Sequence, residues 1–561
     1  MTTNSSTFAL TGRIATVSGA ADAQALLVRE GSIVEVGDRG VAQRAAAAGV
    51  AVHDMGERLV MPGFVDPHVH LHHLSVGRGR GVDCRVPHCK TLEDVFDALR
   101  AGLVCRQGEW LVGYGNLFFD QKIAERRTPT RAELDAVSVE VPIVLHLGGH
   151  TSILNTRALE LADVGRFMSG AAGGWGSPVV ELDAAGRPTG LVSEIDPFLP
   201  IDDPDAASAE RYVTDTFREL FTANGVTTFG EMVDSDLAVD VLDRLISRGE
   251  LAARGVMYDM APAHRPLAEA IEWVTGFHGA SGERLRAAGV KMFADGGYSA
   301  RNAATNTAYV RDHAPRTGYR GKLNLDQGTV RRAIEATRAH GIQLAVHTNG
   351  TRAQREVLDA VLAAGDPLAH PSVRVEHLGN VLDRIADIAD WRATGVTPVL
   401  QPAFLYNFVG DFVPMLLGDA GTKGRLPLRT ILDEGVVPVA SSDVGLGAED
   451  DQSNPMFGIW CTLARRSYWN REIEADERIT FAEALRLFTL EGARALGLQD
   501  VVGSLEVGKQ ADIVVMDRDP RDDLEEVLAA RVHEVYLSGE RVHRSEPPSS
   551  TGVIASTKPT E

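Results

Sequence analysis

Eight short apolar, β-branched runs separated by helical stretches constrain this chain more than any other feature of its sequence. The runs are Leu59–Val65, Val226–Glu231, Gly255–Met260, Val290–Ala294, Ile342–Val346, Val373–Glu376, Val396–Gln401 and Val436–Ser441. Amphipathic stretches such as Gln327–His340, Gln354–Ala364 and Phe481–Leu496 lie between them. Such alternation implies parallel strands joined by crossover helices. Eight units predict an α/β fold closed as a (β/α)8 TIM barrel.

The remaining chain must be placed around that barrel. At 561 residues it is too long for one ordinary domain. Residues from about 7 to 60 read as short strands punctuated by Gly31 and Gly37, and a similar texture returns in Gly508–Asp517 and Val532–Val542. Both termini are expected to build one composite β-sandwich domain, from residues 1–60 and 497–545, with the barrel over 61–496. More than a hundred residues separate the first two barrel runs, far beyond a βα loop. A subdomain inserted at about 75–220 is expected, with a strand at Pro142–Leu147 and a helix starting at Asn155. The Pro/Ser/Thr-rich tail, 546–561, reads as disordered.

Charge and cysteine usage exclude several function classes. With 44% hydrophobic and 24% charged residues the composition is that of a soluble globular protein, and the net charge is −21. So acidic a surface repels phosphate backbones and anionic lipid, which argues against nucleic-acid and membrane partners. Four scattered cysteines, the lack of a signal-peptide pattern and the lack of a spanning apolar segment lead to a cytoplasmic expectation. Cys84, His88 and Cys89 could begin a zinc knot, but a full tetrahedral set is missing nearby; ordinary loop residues are the favoured reading.

Chemistry concentrates at the ends of the runs. In Met61-Pro-Gly-Phe-Val-Asp-Pro-His-Val-His70, residues i and i+2 of an extended strand share a face, so His68 and His70 aim at one point. Lys291, His347, His377 and Asp443 follow at the ends of later runs, and in such a barrel catalytic groups sit on that rim. Neutral imidazoles suit Zn2+ and similar divalent ions. Lys291 would take part deprotonated, or as a carbamate bridging two ions. Asp443 is the expected base: a metal lowers the pKa of bound water towards about 7, and the resulting hydroxide attacks a carbonyl while Asp443 carries the proton to the leaving nitrogen. His70 with His72 is a rival pair of the same spacing, and Glu194 a rival bridge.

These segments, with Gly508-Lys-Gln-Ala-Asp-Ile-Val-Val-Met-Asp517, resemble the amidohydrolase superfamily. Gly149-His-Thr-Ser-Ile-Leu-Asn-Thr-Arg-Ala-Leu159, Val290-Lys-Met-Phe-Ala-Asp-Gly296, His347-Thr-Asn-Gly-Thr-Arg-Ala353, Arg374-Val-Glu-His377, Gln401-Pro402 and Ser442-Asp443 resemble its family 3, the branch of N-substituted formamide deformylases. The resemblance implies one or two metal ions and hydrolysis of a C–N bond. His68, His70, His347 and His377 would be ligands, Lys291 the carboxylated bridge and Asp443 the base. Thr348-Asn-Gly-Thr351 replaces the usual Ala-Ile-Gly-Asp, and Ala403-Phe404 replace a histidine common after Gln401-Pro402. Both departures fall on the pocket wall.

The expected activity is hydrolysis of a linear amide, with an N-substituted formamide as the specific candidate. A cyclic-amide hydrolase or deaminase, and a non-catalytic binding protein, are the alternatives. Tyr114, His150, Tyr298, Asn302 and Gln401 are candidate substrate contacts. The expected partner is a small-molecule amide, and homodimers are common among such barrels.

Overall fold

The computed structural model describes residues 7–19, 22–167, 178–366, 368–418 and 421–545; the tail from 546 lies outside them. Eight parallel strands form one sheet: β1 (Phe64–Val69), β2 (Val226–Val233), β3 (Arg254–Met260), β4 (Leu285–Phe293), β5 (Gln343–His347), β6 (Arg374–Glu376), β7 (Thr397–Leu400) and β8 (Val439–Ala440). They pair in chain order. Just beyond the strands the ring is drawn together: Asp443 N donates to His68 O (2.9 Å) and His70 N to Val444 O (3.0 Å). Val69 and Val444 form a parallel bridge there. The fold is a (β/α)8 barrel.

Its helices form for ordinary reasons. In Gln327–Ala339, Asp326 caps the first turn by accepting from Thr329 N, and Val330, Ala333, Ile334 and Thr337 make one buried stripe. The expected helix over Phe481–Leu496 is two, Phe481–Leu487 and Leu490–Ala495. Thr489 breaks it by leaving helical geometry, its hydroxyl donating to the Leu485 carbonyl (2.7 Å).

The first barrel strand lies later than the sequence predicts. Leu59–Pro62 ends a separate strand, Ala51–Pro62, and β1 begins at Phe64. Gly63 is the pivot, since a Cβ there would lie 2.2 Å from Thr227 Oγ1, an approach only glycine permits. The displacement puts His68 inside β1 and His70 one residue past its end.

Strands from both termini share one seven-stranded sheet. Ala51–Pro62 lies at its centre, parallel to Phe8–Ile14 and antiparallel to Ile513–Met516. Alternation sorts its faces: Ala9, Ala25 and Leu27 pack under helix Gly40–Ala47, while Leu10, Val28, Ile513 and Val515 share another cluster. Met61 and Val514 join the barrel core. A buried ion pair also ties sheet to barrel. Arg254 Nε of β3 donates to Asp512 Oδ2 (3.0 Å), and Ser538 N donates to Asp512 Oδ1 (2.8 Å). Asp512→Ala strands the buried guanidinium, and the expected loss is about 3–5 kcal/mol of unfolding free energy. Urea unfolding of the variant checks this; a cost below about 1 kcal/mol would show that the pair does not anchor the sheet.

A six-stranded sheet occupies the insertion after β1: Val82–Asp83, Leu111–Gly115, Ile143–Leu147, Thr151–Leu154, Val179–Leu182 and Pro188–Ser193. Asn155 caps helix Thr156–Leu161. Cys84 and Cys89 belong to this unit's apolar core, while His88 is turned outward, its Nε2 3.3 Å from Asp450. Among the described residues these three do not form a metal-binding group. Nor do the described residues include a helix long and apolar enough to cross a membrane.

Candidate active site and metal centre

His68, His70, Lys291, His347, His377 and Asp443 line one cavity at the C-terminal ends of the strands. Backbone geometry explains the convergence. β5 pairs with β4 so that His347 stands beside Phe293, which sets Lys291 one step deeper on the same face of β4. His377 and Asp443 leave β6 and β8 in left-handed conformations, at φ 70° and 49°. Such conformations cost about 1–3 kcal/mol each for a non-glycine residue and cluster at functional sites.

The donor set fits a cation on geometry alone. Donor atoms of His68, His70 and Asp443 all lie within 4.8 Å of one another. His68 Nδ1 is 2.7 Å from Glu376 Oε2; a carboxylate only accepts, so the proton sits on Nδ1 and Nε2 carries a lone pair. That Nε2 lies 3.3 Å from Asp443 Oδ1. His377 Nδ1 donates to Gln401 Oε1 (2.8 Å), and His347 Nε2 lies 3.3 Å from the Gly296 carbonyl and 3.2 Å from Asn349 Nδ2. Their remaining nitrogens face each other at 3.0 Å. The His68 and His377 Nε2 lone pairs and the Asp443 carboxylate are gathered on one rim, an arrangement that suits a divalent metal.

Electrostatics agree. Burial, reinforced by the charge on Lys291, keeps the His68 imidazole well below its ordinary pKa. Burial and His377 do the same for His347. Both stay neutral, as ligands must. Burial also pushes Lys291 down to about 8. For Asp443 burial opposes ionisation, but His68, His70 and His377 outweigh it and hold the carboxylate below its usual range.

The other candidates divide. His150 and Tyr298 line the cavity. Gln401 stands behind His377, where Asn380 Nδ2 also donates to its Oε1 (2.6 Å). Asn302 Nδ2 donates to Glu194 Oε1 (2.9 Å). Tyr114 belongs to the inserted sheet, under the Arg85 guanidinium. These three support walls and do not face the cavity. Glu194 is likewise one layer back, against His150 (3.1 Å). The rival pair His70 and His72 is separated because the chain turns helical at Leu71, where the two-residue period no longer holds. His72 points to Asp234 (3.6 Å).

Sequence reasoning missed the layer that orients the ligands. Arg374 Nε donates to Glu376 Oε1 (2.8 Å), and both side chains are fully buried. Asp295 accepts from the backbone of Asn349, Gly350 and Ala304. Phe118, Phe404 and Phe408 form an apolar wall on the cavity. Charged residues inside the buried segment Arg374-Val-Glu were a readable signal; Phe118, delivered by the insertion, left none.

A (β/α)8 barrel whose rim gathers this donor set is a metal-dependent hydrolase scaffold. The amidohydrolase family profile matches residues 51–543. The chain belongs to that family and is a hydrolase acting on carbon–nitrogen bonds. It is 29% identical to the N-substituted formamide deformylase of Arthrobacter pascens over 92% of this chain and 94% of that one. Among solved structures, a metal-dependent hydrolase of Pyrococcus horikoshii superposes with TM-score 0.70 at 22% identity, covering 93% of this chain and 99% of that one. One from Pyrococcus furiosus superposes at 0.69 with 25% identity, covering 92% and 100%.

Proposed function

We propose that this chain hydrolyses a linear amide, an N-substituted formamide being the first candidate, with Zn2+ held by His68, His70, His347 and His377. The convergence of the His68, His70 and Asp443 donor atoms within 4.8 Å of one another, with His347 and His377 on the same rim, is the observation that carries the reading. The named relative supports the choice of amide. When bound, the metal supplies Lewis acidity, drawing electrons from the amide carbonyl and making water easier to deprotonate.

The chain's own residues do the rest. Glu376 and Gln401 hold the imidazoles of His68 and His377 in one tautomer, ready for metal uptake. Asp443, ionised and beside His68 and His70, takes the proton from the attacking water and returns it to the departing nitrogen. Lys291, easily deprotonated for a lysine, adds through its neutral amine to CO2; the new N–C bond gives a carbamate and releases one proton. That carbamate would bridge two ions. The inserted unit closes the apolar wall through Phe118. The proposed domains are a β-sandwich from 1–60 and 497–545, a barrel over 61–496 and an insertion at about 75–220. A cytoplasmic, homodimeric enzyme with a small-molecule substrate completes the reading.

The test is amine release from a panel of N-substituted formamides and simple amides, with metal-replete protein and a chelated control. Release that the chelator abolishes and zinc restores is expected. No release from any linear amide would overturn the substrate reading and move the search to ring opening of cyclic amides or ammonia release.

A further inference from the structure

One carboxylate grips both ends of a segment that the inserted unit lends to the cavity. Leu117 and Phe118 line the cavity, and the residues that bracket them, Asn116 and Lys122, both reach Glu449 on the loop that follows Asp443. Asn116 Nδ2 donates to Glu449 Oε2 (2.8 Å), and the Lys122 ammonium pairs with Glu449 Oε1. The Lys122 side chain is fully buried, its ammonium 5.3 Å from the Tyr468 ring centroid and 5.7 Å from that of Phe412. Asn116, also buried, accepts from Val86 N (2.7 Å). Gly447 lets the two parts meet: it is left-handed at φ 82°, and a Cβ there would lie 2.3 Å from the Gly115 carbonyl oxygen, an approach only glycine permits.

Between the two anchors Phe118 is itself held left-handed, at φ 55°, a strain that persists only where the surroundings impose it. The result is a placed ring. Phe118 stacks on Phe408 with centroids 5.3 Å apart, Phe408 lies 4.6 Å from Phe404, and Phe404 stacks on His377 at 6.3 Å. A row of rings thus runs from the histidine rim to the inserted unit. Gln452 ties the row to the base: its Nε2 donates to the Asp443 carbonyl (3.1 Å), and its Oε1 accepts from Asn407 Nδ2 (3.0 Å), next to Phe408. Among the described residues that line the cavity, the ammonium and carboxylate groups are those of Lys291 and Asp443, both on the rim. The row offers no partner to a charge, only apolar surface and ring faces.

We propose that this row of rings is a subsite for a bulky, uncharged apolar group on the amide nitrogen, that Phe118 sets the preference, and that Glu449 is a positioning residue acting through Phe118. This rests on the amide reading given above. With the carbonyl at the rim, a formyl group carries only hydrogen on its acyl side, so the nitrogen substituent is the part that extends along the wall. Each methylene buried there strengthens binding about fourfold. A charged end would shed its water with nothing in return.

The test is calorimetric titration of zinc-loaded Asp443→Asn protein with N-methylformamide, N-hexylformamide and N-(5-carboxypentyl)formamide. The hexyl amide is expected to bind about 100-fold more tightly than the methyl amide, and the carboxylate to lose most of that gain. Adding Phe118→Ala should cut the hexyl-to-methyl ratio to about 10-fold or less. Adding Glu449→Ala should cut it similarly, and the two together should cut it no further, because no ring is then left to position. Where Glu449→Ala does not fold, Lys122→Met opens the same grip from the other side, with the same expected result. Equal affinity for the two alkyl amides, no measurable binding of the hexyl amide, a ratio that survives Phe118→Ala, or a Glu449 loss that adds in full to the Phe118 loss overturns the inference. Turnover by the unmodified enzyme is scored separately: size-dependent binding without hydrolysis would defeat the hydrolytic reading alone, and hydrolysis without size preference would defeat this one alone.

Discussion

Asp443→Asn is expected to lower kcat by about 10²–10⁴-fold, the span lost when a positioned proton carrier is removed. The substitution is nearly isosteric. It leaves the backbone bond from Asp443 N to His68 O, 2.9 Å, that helps close the barrel. Asparagine also tolerates the left-handed conformation found at this position. The fold should survive, and circular dichroism with metal analysis checks that it has. What disappears is the charge that neighbouring histidines hold in place. A folded, metal-loaded variant with kcat within tenfold of the parent would end the assignment of Asp443 as the base.

The largest stability effect is expected at Arg374. Its guanidinium is fully buried, donates to Glu376 through Nε (2.8 Å) and to the Pro67 carbonyl through Nη2 (2.9 Å), and lies 4.6 Å from the Tyr258 ring centroid. Methionine at this site leaves Glu376 buried without its guanidinium, with neutral His68 beside it and Lys291 its nearby cation. Breaking such a pair costs about 3–5 kcal/mol, whereas replacing both members is far milder. Arg374→Met alone should therefore unfold at much lower urea, and Arg374→Met with Glu376→Gln should recover most of the loss. His68 can still donate to the glutamine oxygen in the double variant. If the second substitution restores nothing, the cost of the first lies in lost packing against Tyr258 and not in a stranded charge.

The strand pattern and the rim residues were legible in the sequence for one physical reason. A strand buried on both faces must be apolar, so a histidine, lysine or aspartate closing such a run stands out against it. His68, His70, Lys291, His347, His377 and Asp443 were found this way, and the barrel brings all six to one cavity. The exact start of β1 was not legible, because Leu59–Val65 is equally apolar on both sides of Gly63 and only the approach of Thr227 places the break. Of the inserted sheet, sequence reading picked out Pro142–Leu147; its partners Leu111–Gly115 and Thr151–Leu154 are buried too, but their glycines and hydroxyls weaken the apolar pattern, and Val179–Leu182 and Pro188–Ser193 are partly exposed.

By itself, then, the sequence determined which residues carry chemistry and that they stand at strand ends, because local apolar periodicity records burial. Tertiary structure alone decided which nitrogen of the His68 and His377 imidazoles faces the cavity, since that depends on Glu376 and Gln401, which meet their histidines only when distant segments or strand ends pack together. It also decided that Tyr114, Asn302 and Gln401 stand behind the walls while His150 reaches the cavity, because hydrogen-bond partners and side-chain direction are settled by packing between elements that no local pattern encodes.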